Sequence, residues 1–138
     1  TGVIILIELI IVSHGNFAKE ILKSAELIAG EQEHVHTFGL HLGDSVDKLR
    51  DDLSEAIEKV QNRDVLILTD MFSGSPFNAT VSLMQHYSFF HITGINMPIL
   101  LEILMSRETT GAAELCDDLL SRAKDTIIDV NKYFEVSN

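Results

Sequence analysis

The sequence predicts an α/β fold, a three-layer sandwich around a mostly parallel central sheet. Three observations carry that expectation. Short runs rich in Ile, Leu and Val alternate with segments of helical period along most of the chain. The first and third of these runs are apolar almost throughout, as strands covered on both faces are. The chain has 138 residues, 46% of them hydrophobic and 22% charged. That is enough to bury about two-thirds of the unfolded surface in one domain, with no need of a disulfide or structural metal.

The elements follow in order. Residues 3–12 are dominated by Ile, Leu and Val, interrupted by Glu8 and ended by Ser13-His14-Gly15. This is a strand, best defined over residues 9–12 and least defined at its start. A helix follows in which Phe17, Ile21, Ala25 and Ile28 share a face with Ala18 and Leu22, and Gly30 is placed to stop it. A weaker strand spans residues 34–40. Gly43-Asp44 opens a second helix with Val46, Leu49, Leu53, Ile57 and Val60 in register, capped by Asp44 or Ser45.

Residues 65–69 are another buried strand, closed by Asp70, and residues 71–75 form a loop. Pro76 fits the first position of a helix reaching about residue 86, with Ser75 as its cap. Residues 89–95 read as a fourth strand. Pro98 starts a short helix, apolar nearly all round and therefore buried. A further amphipathic helix carries Ala112, Leu115, Cys116, Leu119 and Ala123. Ile127, Ile128, Val130, Tyr133 and Phe134 read as a last strand, which would pair antiparallel at an edge and need covering, for example by a second subunit.

Composition removes several functions. The net charge is −11, so each phosphate contact with a nucleic acid would work against overall repulsion. The single cysteine, Cys116, permits no intramolecular disulfide and suits a reducing compartment. Its apolar helical setting fits a small buried residue rather than a nucleophile. The leading apolar run is too short to cross a membrane as a helix and no basic segment precedes it, which points to the cytoplasm. His34, His36 and His41 have no carboxylate or cysteine partner in the pattern and read as strand and loop residues. His86 and His91 flank a helix-to-strand turn without an evident partner.

With strand order 2-1-3-4, the loops after the first and third strands are neighbours at the carboxyl end of the sheet, where such folds bind ligands. Those loops carry Ser13-His14-Gly15 and Asp70-Met71-Phe72-Ser73-Gly74-Ser75-Pro76. A neutral imidazole is a nucleophile near pH 7 if one nitrogen is free and the other protonated. A carboxylate accepting from the protonated nitrogen selects that tautomer and steadies the charged ring that attack produces. A helix N-terminus offers unpaired N–H groups to a phosphoryl group, Ser73 and Ser75 add hydroxyls, and Gly74 admits close backbone approach. Together these make a candidate phosphohistidine site. No lysine accompanies them, and the phosphate-loop, dinucleotide and nucleophile-elbow motifs are absent. A receiver-type acidic pair and a flavodoxin-type phosphate loop are likewise missing after the first strand.

The block Ile11-Val12-Ser13-His14-Gly15, followed by Ala18 and Leu22, resembles the first strand and active turn of the enzyme IIA domain of mannose-family (mannose, fructose, sorbose) sugar phosphotransferase systems. The resemblance continues in Gly30-Glu31-Gln32-Glu33, in residues 70–79 and in Gly94-Ile95-Asn96-Met97-Pro98-Ile99-Leu100-Leu101-Glu102. It implies a single enzyme IIA domain over residues 1–138. It implies a cytoplasmic phosphoryl carrier needing no cofactor or metal, in which His14 accepts phosphate from HPr and hands it to an enzyme IIB. Asp70 would orient His14, and Ser13, Gly15, Ser73, Gly74 and Ser75 would surround the phosphate. The membrane enters only through the transporter components. The resemblance also implies a homodimer that exchanges the last strand.

Ser73 stands where the family often has glycine. Two other readings share the fold. One is the phosphotransfer subunit of a dihydroxyacetone kinase system, and the other is a non-catalytic, phosphorylation-controlled module of a transcription activator. The sugar is not legible here, because enzyme IIA never touches it.

Overall fold

The structure, a computed structural model, describes residues 6–135; the start of the first apolar run, residues 1–5, lies outside them. Four strands, β1 (Glu8–His14), β2 (Val35–Leu40), β3 (Val65–Thr69) and β4 (Phe90–Thr93), form an all-parallel sheet in the order β2-β1-β3-β4. Helices α1 (Phe17–Ala29), α2 (Val46–Glu58), α3 (Ser75–Leu83), α4 (Met97–Ser106) and α5 (Ala112–Arg122) connect and cover them. The expected three-layer sandwich and strand order are both present.

Alternation along β1 and β3 divides the core into two. Leu9, Ile11, Leu66 and Leu68 face α1, α4 and α5, whereas Ile10, Val12, Val65 and Ile67 face α2 and α3. Neither strand leaves a face to solvent, which is why both read as unbroken apolar runs. Ser45 caps α2, its Oγ accepting from Lys48 N at 3.2 Å, and Asn96 caps α4 through Ile99 N at 3.1 Å. Gly30 ends α1 with φ +86°.

Three expectations are corrected. The buried stripe of α1 is Ala18, Ile21 and Ala25, while Phe17 and Ile28 are exposed. α3 ends at Leu83 rather than near residue 86. The segment expected as a last strand follows a 3-10 turn (Ala123–Thr126) and contains a short helix α6 (Val130–Tyr133) capped by Asp129, and Ile127, Ile128, Val130, Tyr133 and Phe134 stay exposed. A strand needs a neighbour's N–H and C=O groups. With none alongside, the local cap closes a helical turn instead. Among the described residues the sheet therefore has no fifth, antiparallel strand.

At the amino end of the sheet, polar groups hold the chain together. Glu8 is only 2% exposed. Its Oε1 lies 2.5 Å from His34 Nδ1 and 2.8 Å from Arg63 Nη1, and its Oε2 is 3.5 Å from His36 Nε2. The carboxylate partner missing from the sequence pattern around His34 and His36 is thus supplied by β1. Among the described residues no group of three or more His, Cys, Asp or Glu side chains is arranged to hold a metal.

Arg107, just past α4 and also 2% exposed, donates to the carbonyls of Ile7 (3.2 Å), His34 (2.8 Å) and Glu33, and to Gln32 Oε1 (3.1 Å). It therefore joins the β1 entry to the α1–β2 connection. Removing it leaves one buried and three partly buried acceptors without this donor, a buried one costing about 1–3 kcal/mol. Arg107→Ala should lower the free energy of unfolding by about 3 kcal/mol or more in urea titration. A loss below about 1 kcal/mol would show that water replaces the guanidinium without penalty.

Candidate active site

β1 and β3 run side by side in register, Val12 opposite Thr69, so the residues just beyond them emerge together at the carboxyl end. His14 is the last residue of β1 and Asp70 the first after β3. Asp70 Oδ2 accepts from the His14 backbone N–H at 2.9 Å and lies 2.8 Å from His14 Nδ1. One oxygen therefore fixes both the main chain and the ring. A carboxylate only accepts, so the ring carries its proton on Nδ1 and leaves the Nε2 lone pair free. The His14 side chain is 48% exposed and that of Asp70 only 14%. Asp70 Oδ1 is buried and has no hydrogen-bond partner among the described residues.

Gly74 closes the other side of the ring. A Cβ built there would lie 2.9 Å from both Cε1 and Nε2 of His14, and the residue has φ +90°. Only glycine allows this approach without moving the ring. Gly74 is also the N-cap of α3, where no side chain caps the helix and no acidic residue occupies the first turn. Ser75 is the first helical residue, in place of the expected cap. The positive end of α3 thus opens beside the free nitrogen of His14.

The structure separates the other expected phosphate ligands. Ser13 is fully buried and its Oγ accepts from Ala18 N at 2.7 Å, so its hydroxyl serves the first turn of α1. The N–H of Gly15 is used by Leu40 O at 2.8 Å. Ser73 is exposed and Ser75 half-buried on either side of Gly74. The first loop therefore supplies the imidazole, and the second loop with the start of α3 lines the other side of the ring.

Several contacts here have no signal in the sequence pattern. Gly39 is required because a Cβ there would come 2.1 Å from Gly15 O, so β2 presses against the His14 turn. Asn16 Oδ1 meets His41 Nε2 at 2.9 Å, and His41 Nδ1 lies 3.3 Å from Asp44 Oδ2, tying that turn to the loop before α2. His91 on β4 meets Thr69 Oγ1 at 2.8 Å, although nothing in its sequence neighbourhood names a partner. Phe72 and Phe77 pack edge to face with centroids 5.0 Å apart, bracing the loop between Asp70 and α3.

The site is thus an oriented imidazole at the junction of β1 and β3 in a four-stranded parallel α/β sandwich. Residues 8–120 match the EIIA-man family model, described as PTS system fructose IIA component. The chain belongs to this family. It is 34% identical over 124 residues to the mannose-specific EIIAB component of the PTS in Escherichia coli K12, covering 87% of this chain and 37% of that protein. It therefore spans little more than a third of the length of that relative. It is 30% identical over 114 residues to the sorbose-specific EIIA component of Lacticaseibacillus casei, covering 82% and 83% of the two chains. The crystal structure of phosphotransferase system component EIIA from Streptococcus agalactiae superposes with a TM-score of 0.85 at 33% identity, covering 92% of this chain and 99% of that one.

The Gly74 contact is directly testable. Gly74→Ala combines a left-handed backbone with a Cβ against the ring, and should cost about 1–2 kcal/mol of stability. It should also shift the His14 ring resonances in NMR spectra of the folded variant. Unmoved ring signals would mean that Gly74 does not constrain the imidazole.

Proposed function

We propose that this chain is a phosphoryl carrier whose Nε2 atom of His14 accepts phosphate from phospho-HPr and passes it to an enzyme IIB. The observation that carries the reading is the pairing of His14 Nδ1 with Asp70 Oδ2 at 2.8 Å beside an uncapped helix N-terminus. The lone pair on Nε2 attacks phosphorus in line as the N–P bond of the donor breaks, and the donor imidazole leaves with that electron pair. The Nδ1 proton stays on His14. The ring is then more positive, and the Asp70 carboxylate beside it offsets that charge. Gly74 and the first N–H groups of α3 accommodate the phosphoryl oxygens. Both donor and product are phosphohistidines, so the site has to position two rings rather than drive an uphill reaction.

On this reading residues 1–138 act as one enzyme IIA unit in the cytoplasm, and the chain reaches the membrane only through the transporter it feeds. Among the described residues no helix is long and apolar enough to cross a membrane. The exposed apolar side chains from Ile127 to Phe134 support self-association as a homodimer. The kinase-subunit and transcription-activator readings are not favoured, because the relatives reported above are sugar-system components.

Incubation with phosphoenolpyruvate, enzyme I and HPr should add one acid-labile phosphoryl group, seen as a single mass increment. His14→Ala should abolish the increment. Asp70→Ala should slow its appearance by about a hundredfold without unfolding the protein. Phosphorylation of the His14→Ala variant at the wild-type rate would remove the assignment.

A further inference from the structure

We propose that His91 is a positioning residue for this site, holding Asp70 in place through a hydrogen-bond chain that ends on the carbonyl group preceding it. The inference rests on the reading of His14 as phosphoryl acceptor. It concerns a side chain that touches neither His14 nor the space for the phosphoryl group.

β4 flanks β3 on the side away from β1, with Ile67 opposite His91 and Thr69 opposite Thr93. His91, Thr93 and Thr69 consequently share the sheet face that α2 and α3 cover. His91 Nε2 lies 2.8 Å from Thr69 Oγ1, the Thr69 hydroxyl donates to Thr93 Oγ1 at 2.8 Å, and the Thr93 hydroxyl donates to Thr69 O at 3.4 Å. Gly94 N reaches the same carbonyl at 3.1 Å. A carbonyl can only accept, so the donors run one way, and the chain must begin with a proton on His91 Nε2.

That direction links His91 to the peptide that enters Asp70. Asp70 is the first residue beyond β3 and has left the ladder, so the orientation of the Thr69–Asp70 peptide is set by what holds the Thr69 carbonyl. The carboxylate makes two hydrogen bonds to His14, at 2.8 and 2.9 Å, through a single oxygen. A small rotation of the preceding peptide would lengthen both. Thr69 is fully buried, so water does not compete for its hydroxyl. Burial also pushes His91 below the ordinary histidine value, which keeps the ring neutral with the one proton that the chain uses. The His91 ring centroid lies 5.4 Å from that of Phe77, in the first turn of α3. His91 thus contacts both ends of the loop that carries Asp70 and Gly74.

Two substitutions separate the hydrogen bond from the packing. His91→Phe keeps a ring against Phe77 and removes the donor, whereas His91→Gln restores a donor and removes the ring. With phospho-HPr as the donor, His91→Phe should lower kcat about tenfold and leave KM within about twofold, while His91→Gln should recover to within about threefold of wild type. Nitrogen-15 spectra should show His14 as the Nδ1–H tautomer in the wild type and the Gln variant, and as a tautomer mixture in the Phe variant.

Wild-type rates and spectra for His91→Phe would overturn the proposal. So would a His91→Gln variant as slow as His91→Phe, because ring packing alone would then account for the effect. Failure of the wild-type protein to take phosphate from HPr would strike the phosphoryl-carrier reading instead. The His14 spectra would still decide the role of His91, a tautomer change in His91→Phe supporting it and its absence removing it.

Discussion

Parallel pairing of β1 with β3, both strands covered on their two faces, is the constraint from which the rest of the molecule follows. Residues of β1 and β3 alternate between the α1/α4/α5 layer and the α2/α3 layer. A shift of one residue in either strand would turn every apolar side chain into the wrong layer. The register is therefore strongly specified, and Val12 opposite Thr69 sets His14 beside Asp70. Burial energy thereby acts as the positioning force for two polar side chains that contribute little to it themselves.

The electrostatics of the site are local. The chain as a whole carries −11, yet the free nitrogen of His14 meets a helix N-terminus without an acidic residue in its first turn. The carboxylate of Asp70 engages the opposite ring nitrogen. A phosphoryl group arriving at Nε2 would thus see backbone dipoles first and the carboxylate only through the imidazole. The far end of the sheet shows another way of handling charge. There Glu8 is buried among His34, His36 and Arg63, and Arg107 gathers main-chain carbonyls. Those groups join the chain segments at the amino ends of the strands, away from His14 and Asp70 at the carboxyl ends.

Much of this was legible in the sequence because it is written in local patterns. Unbroken apolar runs, helical stripes, the Gly30 stop and the Ser45 cap depend on neighbours a few residues away, and they located four strands and five helices. The pairing of His14 with Asp70 needed only the strand order in addition. The α1 stripe was misjudged by one position, since Phe17 and Ile28 lie at the margin of a face whose width is set by how closely the helix approaches the sheet.

The last segment marks the boundary between the two kinds of information. Its β-branched and aromatic residues suit a strand, but a strand exists only where another backbone pairs with it, and here an Asp129 cap takes the chain into a helical turn. Ser13, grouped with the phosphate ligands by its place in the chain, is turned inward by an unpaired N–H of α1. The partners of Glu8, Arg107 and His91 lie on elements distant in sequence, joined by β-sheet register and helix packing. By itself the sequence determined the fold class and, once a 2-1-3-4 strand order was assumed, singled out His14 and Asp70 as candidates, because hydrophobic periodicity and turn chemistry are short-ranged. Only the tertiary structure decided the strand order, which nitrogen of His14 faces Asp70 and which side chains meet Glu8, Arg107 and His91, because those depend on contacts between segments that no local pattern encodes.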